Sequence, residues 1–263
     1  MAVVRSSDRM TTNLGGAGRS PYHGGPAYTA WMRHRSLPKL VLSHTDVRVL
    51  SFLPELRLRV ATDAIGLWEA IEGAVDRGEL PPPFWAFAWA GGMALARHLL
   101  AHPELVAGRQ VVDVATGSGV VAVAAARAGA REVVASDIDE FAITAVALNA
   151  RLNRVRVEPR LADVREIHVQ PGAVVTAGDV FYDRDIASAM ITGLGSLRLA
   201  GAEVLVGDPH RSFLPEDRLE PLAFYDVEVE EDLENATLKH TVVARLVEPA
   251  GPRSSEVHGH QKV

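Results

Sequence analysis

The sequence predicts an α/β fold, a mostly parallel sheet with helices on both faces that closes in an antiparallel C-terminal hairpin. Three observations predict it. Short valine-rich runs alternate with alanine-rich runs of helical period between Gln110 and Val206. Glycine or aspartate stands where several of these runs end. The last two strand-like runs stand too close together for a crossover helix, which leaves antiparallel pairing.

In chain order, Gln110 to Val114 reads as a strand and Val120 to Ala128 as a helix stopped by Gly129. Glu132 to Ser136 is the second strand, leading through Asp137-Ile-Asp139 into a helix from Glu140 to Leu152. Arg156 to Leu161 and Ala173 to Ala177 are strands, Arg184 to Leu199 is a helix, and Glu203 to Val206 is a short buried strand before Gly207-Asp-Pro209. Phe224 to Glu230 and Thr237 to Val247 form the closing hairpin.

Residues 1–40, rich in Gly, Ser, Arg and His without periodicity, are expected to be a disordered arm. The domain is expected over 41–248, divided into a helical, substrate-side segment 41–92 and a core 93–248, with 249–263 as a flexible tail. His258 and His260 read as tail residues, and no metal site is expected.

A hydrophobic share of 48% and a charged share of 23% are ordinary for a globular chain. No apolar run reaches the roughly 18 residues that span a bilayer, so no membrane partner is expected. The net charge of −6 offers no positive field to gather phosphates, so nucleic acid is not the expected partner. With no cysteine there is no disulfide, thiolate zinc site or cysteine nucleophile. A cytoplasmic monomer is expected.

In Val111-Val-Asp-Val-Ala-Thr-Gly-Ser-Gly119 a buried strand turns through two glycines into a helix. Gly117 and Gly119 let the backbone approach a ligand, and the free N–H groups of the helix start suit a carboxylate or a phosphate. Asp137 follows Gly117 at the distance of an acid that accepts hydrogen bonds from both ribose hydroxyls. Gly117-Ser-Gly119-Val-Val-Ala122 also satisfies the dinucleotide pattern G-x-G-x-x-A, so an NAD-dependent reductase stays open, as does a plain tight turn capped by Asp113. Asp113, able to face a cationic amine, and the C-terminal hairpin favour S-adenosylmethionine (SAM) over a dinucleotide.

Further segments carry a resemblance: Leu53-Pro-Glu-Leu-Arg-Leu, Pro83-Phe-Trp-Ala-Phe-Ala-Trp-Ala-Gly-Gly92, Asp137-Ile-Asp139, Gly178-Asp-Val-Phe-Tyr-Asp183 and Gly207-Asp-Pro-His-Arg211. From about Leu53 to Val247 the chain resembles the class I, seven-β-strand SAM-dependent methyltransferases, and among them the electron transfer flavoprotein β-subunit lysine methyltransferases. The resemblance implies a Rossmann-like core with a seven-stranded sheet, SAM as cofactor and lysines of the flavoprotein β-subunit as methyl acceptors. Another protein such as a ribosomal subunit, a small amine, and a non-catalytic cofactor-binding module are the other readings.

Carried onto this chain, the resemblance places Trp89 and Gly91 beside the cofactor and Asp163 near its adenine. With the glycine loop and the acid after it, the expected cofactor set is Trp89, Gly91, Asp113, Ala115, Thr116, Gly117, Ser118, Gly119, Asp137, Ile138 and Asp163. The family's Asp-x-x-Tyr motif matches Asp179-Val-Phe-Tyr182, so Asp179 is expected to orient the acceptor amine and Tyr182 to close its channel. Two departures stand out, Ala115 for the first loop glycine and His210 for the glycine of Gly-Asp-Pro-Gly-Arg. Alanine at 115 is tolerable with ordinary backbone angles, whereas His210 bears on the substrate mouth.

Overall fold

The computed structural model describes residues 37–61, 63, 66–69, 71, 82–229 and 236–248. The expected arm and tail lie outside these residues, apart from helix α1 (Leu37–His44), which begins inside the segment expected to be disordered. Residues 41–92 depart from the helical expectation. They open with an antiparallel hairpin of β1 (Asp46–Leu50) and β2 (Leu53–Val60). Leu56, Leu58 and Val60 are buried at every second position, the strand period, while the residues between them face outward.

The second edge of β2 is met by side chains. Asn153 accepts from Arg57 N through Oδ1 (3.0 Å) and donates from Nδ2 to Arg57 O (2.6 Å), and Asn149 Oδ1 accepts from Arg59 N (2.7 Å).

Helix α2 (Ala90–Ala101) precedes the sheet proper. Then follow β3 (Gln110–Val114), α3 (Val120–Arg127), β4 (Glu132–Asp137), α4 (Glu140–Leu152), β5 (Glu158–Leu161), β6 (Val174–Gly178), α5 (Arg184–Leu199), β7 (Glu203–Asp208), β8 (Leu219–Glu228) and β9 (Leu238–Leu246). The seven strands lie in the order β5-β4-β3-β6-β7-β9-β8, parallel except for β9, which runs antiparallel to both neighbours. The expected Rossmann-like, mostly parallel sheet with a closing antiparallel hairpin is therefore the observed one.

Alternation along the strands sorts the core into two layers. Val111, Val133, Val174 and Leu205 face α2 and α3, whereas Val112, Val134, Val175 and Val204 face the apolar side of α5. Helices start where acids cap them: Asp139 accepts from Phe141 N at α4, and Asp183 from Asp185 N and Ile186 N at α5. From β3 the chain winds outward to β4 and β5, then returns to β6 on the other side of β3. Open α/β sheets bind ligands outside the carboxyl ends of strands at such a reversal. The glycine loop and the residues after β6 meet there.

Candidate active site

The loop after β3 is built around one buried acid, Asp113, and one half-buried acid, Asp137. Asp113 is 1% exposed, and its carboxylate accepts from Thr116 Oγ1 (2.5 Å) and Thr176 Oγ1 (2.8 Å). Thr176 stands opposite Asp113 in the β3–β6 register, so sheet pairing itself delivers the second hydroxyl. Burial pushes the Asp113 carboxyl up to about 6, against the pull of both hydroxyls. Asp137 ends β4 and accepts from Gly117 N (3.0 Å) and Asp139 N (3.0 Å). Burial raises its pKa as well.

Gly119 begins α3 in the left-handed region (φ 79), where a Cβ would stand 2.9 Å from Val146 Cγ2. Ala115 is left-handed too (φ 50), so its backbone angles are not the ordinary ones an alanine there was expected to have. Ser118 is buried, and its carbonyl accepts from Asn149 Nδ2 (2.8 Å). Ile138 is 39% exposed beside Asp137. Asp163 follows β5 as expected, but its carboxylate accepts from Arg165 Nε (2.7 Å) and Nη2 (2.8 Å) and caps a short 3-10 turn. It is held locally by its neighbour.

The second wall comes from α2, β6 and the turn after β7. Gly91 and Gly178 bring backbones together: a Cβ on Gly91 would stand 2.6 Å from Asp179 Oδ2, and one on Gly178 2.7 Å from Gly92 Cα. Asp179 Oδ2 accepts from Gly91 N and from Gly92 N (3.2 Å), and Oδ1 accepts from Arg211 Nε (3.0 Å) and Nη2 (2.7 Å). Both oxygens are engaged, so Asp179 meets the expectation of an amine-orienting acid only in place, not in hydrogen bonding. The N–H groups that a helix start leaves unbonded and a guanidinium have claimed its lone pairs.

The Arg211 guanidinium lies 5.9 Å above the Trp89 ring, whose Nε1 donates to Phe84 O (2.9 Å). Phe84 stands 5.6 Å from Trp89 and 5.4 Å from Tyr182, ring centre to ring centre. The three rings form an aromatic wall beside the loop. Arg211, Thr176 and Asn149 were not among the expected site residues. Arg211 had a signal in the Gly207-Asp-Pro-His-Arg211 segment, and Asn149 had one as a polar residue on a helix face otherwise filled by Ala145, Val146 and Ala150.

Between the walls lies a cavity of ≈ 40 Å³ bordered by Trp89, Gly92, Asp113, Thr116 and Gly178. A larger one, ≈ 360 Å³, lies at the opposite end of the sheet among Arg109, Glu203 and Arg245, with no glycine loop. Its charges are already paired: Arg109 and Arg245 both bind Glu203. The chemistry belongs to the smaller cavity.

The profile of the ribosomal protein L11 methyltransferase (PrmA) family matches residues 99–178. The electron transfer flavoprotein beta subunit lysine methyltransferase of Homo sapiens is 37% identical over 166 residues, 61% of this chain and 61% of the relative. That of Xenopus laevis is 34% identical over 212 residues, 77% of this chain and 84% of the relative. The chain belongs to the electron transfer flavoprotein β-subunit lysine methyltransferase family.

Like that family, it is a SAM-dependent protein-lysine N-methyltransferase. Among solved structures it is similar to magnesium protoporphyrin IX methyltransferase (ChlM) from Synechocystis PCC 6803 with bound SAM, with a TM-score of 0.48 and 15% identity over 88% of this chain and 99% of the other. The lysine methyltransferase site has the donors and acceptors that SAM requires. Asp113 borders the cavity as a buried carboxylate suited to a cationic amine, Asp137 offers a carboxylate at the end of β4, and α3 begins with N–H groups suited to an anion.

Proposed function

We propose that this protein methylates a lysine side chain of the electron transfer flavoprotein β-subunit. The observation that carries the reading is the similarity, along most of the chain, to the flavoprotein β-subunit lysine methyltransferases, and the aromatic cluster of Phe84, Trp89 and Tyr182, with Trp89 bordering the loop cavity, supports an amine acceptor. Asp137 would hold the ribose hydroxyls of SAM, Asp113 its amine, the start of α3 its carboxylate, and Trp89 would border it. SAM supplies an electrophilic methyl group on a sulfonium. The chain's own task is to align an uncharged amine with it and exclude water.

An ammonium has no lone pair, and its unperturbed pKa is roughly 10.4, so the acceptor must shed a proton before transfer. An apolar, aromatic channel favours the neutral amine by desolvation. Tyr182 and Phe84 are the proposed channel walls. Asp179 is proposed as a positioning residue that seats the head of α2 and Arg211, rather than as a direct partner of the amine. The reading includes a monomer in the cytoplasm and a protein partner, with neither nucleic acid nor membrane. The net charge of −6 supports the exclusion of nucleic acid.

The test is incubation of the purified chain with methyl-labelled SAM and, in separate and mixed reactions, purified flavoprotein and purified ribosomal protein L11, followed by mass spectrometry. Label on a lysine of the β-subunit supports the reading. Label on ribosomal protein L11 alone, the acceptor suggested by the match over residues 99–178, would move the substrate and leave the chemistry. No binding of SAM by calorimetry would sink both.

A further inference from the structure

Asp208 ends β7 at the same edge and has no part in the chemistry above. It is 0% exposed. Its Oδ1 accepts from Arg211 N (2.6 Å), while Oδ2 is buried with no hydrogen-bond partner among the described residues. The charged groups facing it are Asp179, at the end of β6, and Arg211, in its own loop. From the other elements packed here, β9 sets Val242 opposite Asp208, and α2 presents Gly91 to the neighbouring Gly207. Asp179 N donates to Gly207 O (2.9 Å), which fixes the two acids side by side.

Two carboxylates therefore share one guanidinium, and the guanidinium lies on Asp179. A second ionised carboxylate would be a buried charge with an unpartnered oxygen, among the costliest arrangements in a protein interior. A protonated one leaves the cluster neutral, with one anion and one cation, and still accepts the Arg211 N–H through Oδ1.

We infer that Asp208 is a positioning residue that works in its neutral, protonated form, holding the turn at 209–211 so that Arg211 stays on Asp179 at the head of α2. Its bearing on methyl transfer rests on the proposed acceptor site. Its protonation does not. The proton is taken from solvent on folding and resides on the carboxyl, and no bond to substrate or cofactor is made or broken.

The experiment compares the full-length wild type with Asp208→Asn and Asp208→Ala. Asparagine keeps the shape, keeps the acceptor for Arg211 N and cannot ionise. Wild-type infrared difference spectra should show a protonated-carboxyl component lost at about pH 7, beyond the Asp113 contribution lost at about 6, and that component should be missing from Asp208→Asn. The wild-type melting temperature should fall as the pH rises from about 4 to neutrality and level off above it, since burial and the Asp179 charge place the folded Asp208 carboxyl at about 7. Asp208→Asn should lose the Asp208 share of that dependence, keep the share due to Asp113, and keep methyl transfer. Asp208→Ala, which frees the turn, should slow transfer about 100-fold, the effect of a misplacement near 1 Å.

Persistence in Asp208→Asn of the component lost at about pH 7, or loss of stability and transfer in Asp208→Asn matching that in Asp208→Ala, overturns the inference. The infrared and melting measurements need no methyl acceptor, so a wrong substrate and a wrong protonation state give different results.

Discussion

Ala115 and His210 both stand in left-handed backbone, φ 50 and φ 59, at the two places where the family pattern has glycine. A Cβ in that region costs roughly 1–2 kcal/mol, partly offset by the greater chain entropy that glycine loses on folding. Ala115→Gly should therefore stabilise the protein by about 1 kcal/mol, which calorimetry would read as a melting temperature about 2–4 °C higher. Asp137→Ala has a different signature. Its carboxylate links the end of β4 to Gly117 N, and its loss should weaken SAM binding about 10- to 100-fold by titration calorimetry. Undiminished affinity would remove Asp137 from the cofactor set. At this scale the loop acids were legible because a carboxylate at a strand end, about 20 residues after a glycine turn, is a spacing a reader can count. The pairing of Arg211 with Asp179 was not, because the two are 32 residues apart in sequence and meet only after β6 and β7 pair.

Helix α2 is the element on which the acceptor side depends. Its first turn lies against the ends of β6 and β7 so closely that only glycine fits at 91 and 178. Gly91→Ala would drive a methyl group into Asp179 Oδ2 and the Gly207 carbonyl, so the helix must lift. A cost of about 1–3 kcal/mol is expected, with methyl transfer falling more than cofactor affinity. Equal losses in the two would argue against a substrate-side role for this turn. Helices α4 and α5 were readable to the residue because Asp139 and Asp183 announce their starts. The hairpin β1–β2 was not. Its pattern Leu56, Leu58, Val60 spans only five residues after a proline, and its burial comes from α2 and α4 rather than from the sheet.

Over the whole molecule the buried acids set a pH dependence. Asp113 and Asp208 are raised to about 6 and about 7, well above the ordinary carboxylate range, so the folded chain binds protons there that the unfolded chain has lost. Stability must then fall as pH rises from about 4 through these values. Glu55 and Glu203, lowered by Arg97, Arg109 and Arg245, act in the opposite sense and lose their contribution as pH falls below the ordinary carboxylate range. Without SAM, the melting temperature should peak at about pH 4–5, decline as the pH rises to about 7 and level off above it. SAM should flatten the decline, because its amine offsets the ionised Asp113, and should bind more tightly at about pH 8 than at about pH 5.5. Thermal scans across pH with and without SAM check both, and parallel curves would exclude Asp113 from the amine site.

The second edge of β2 carries a consequence of another kind. An open strand edge is a template on which a second chain can add. Here the amides of Asn149 and Asn153 occupy the main-chain groups of Arg57 and Arg59 that an incoming strand would need. Two side chains on α4 thereby stand in for a neighbouring strand, and they guard the hairpin against edge-to-edge aggregation while one of them steadies the carbonyl of Ser118 in the cofactor loop.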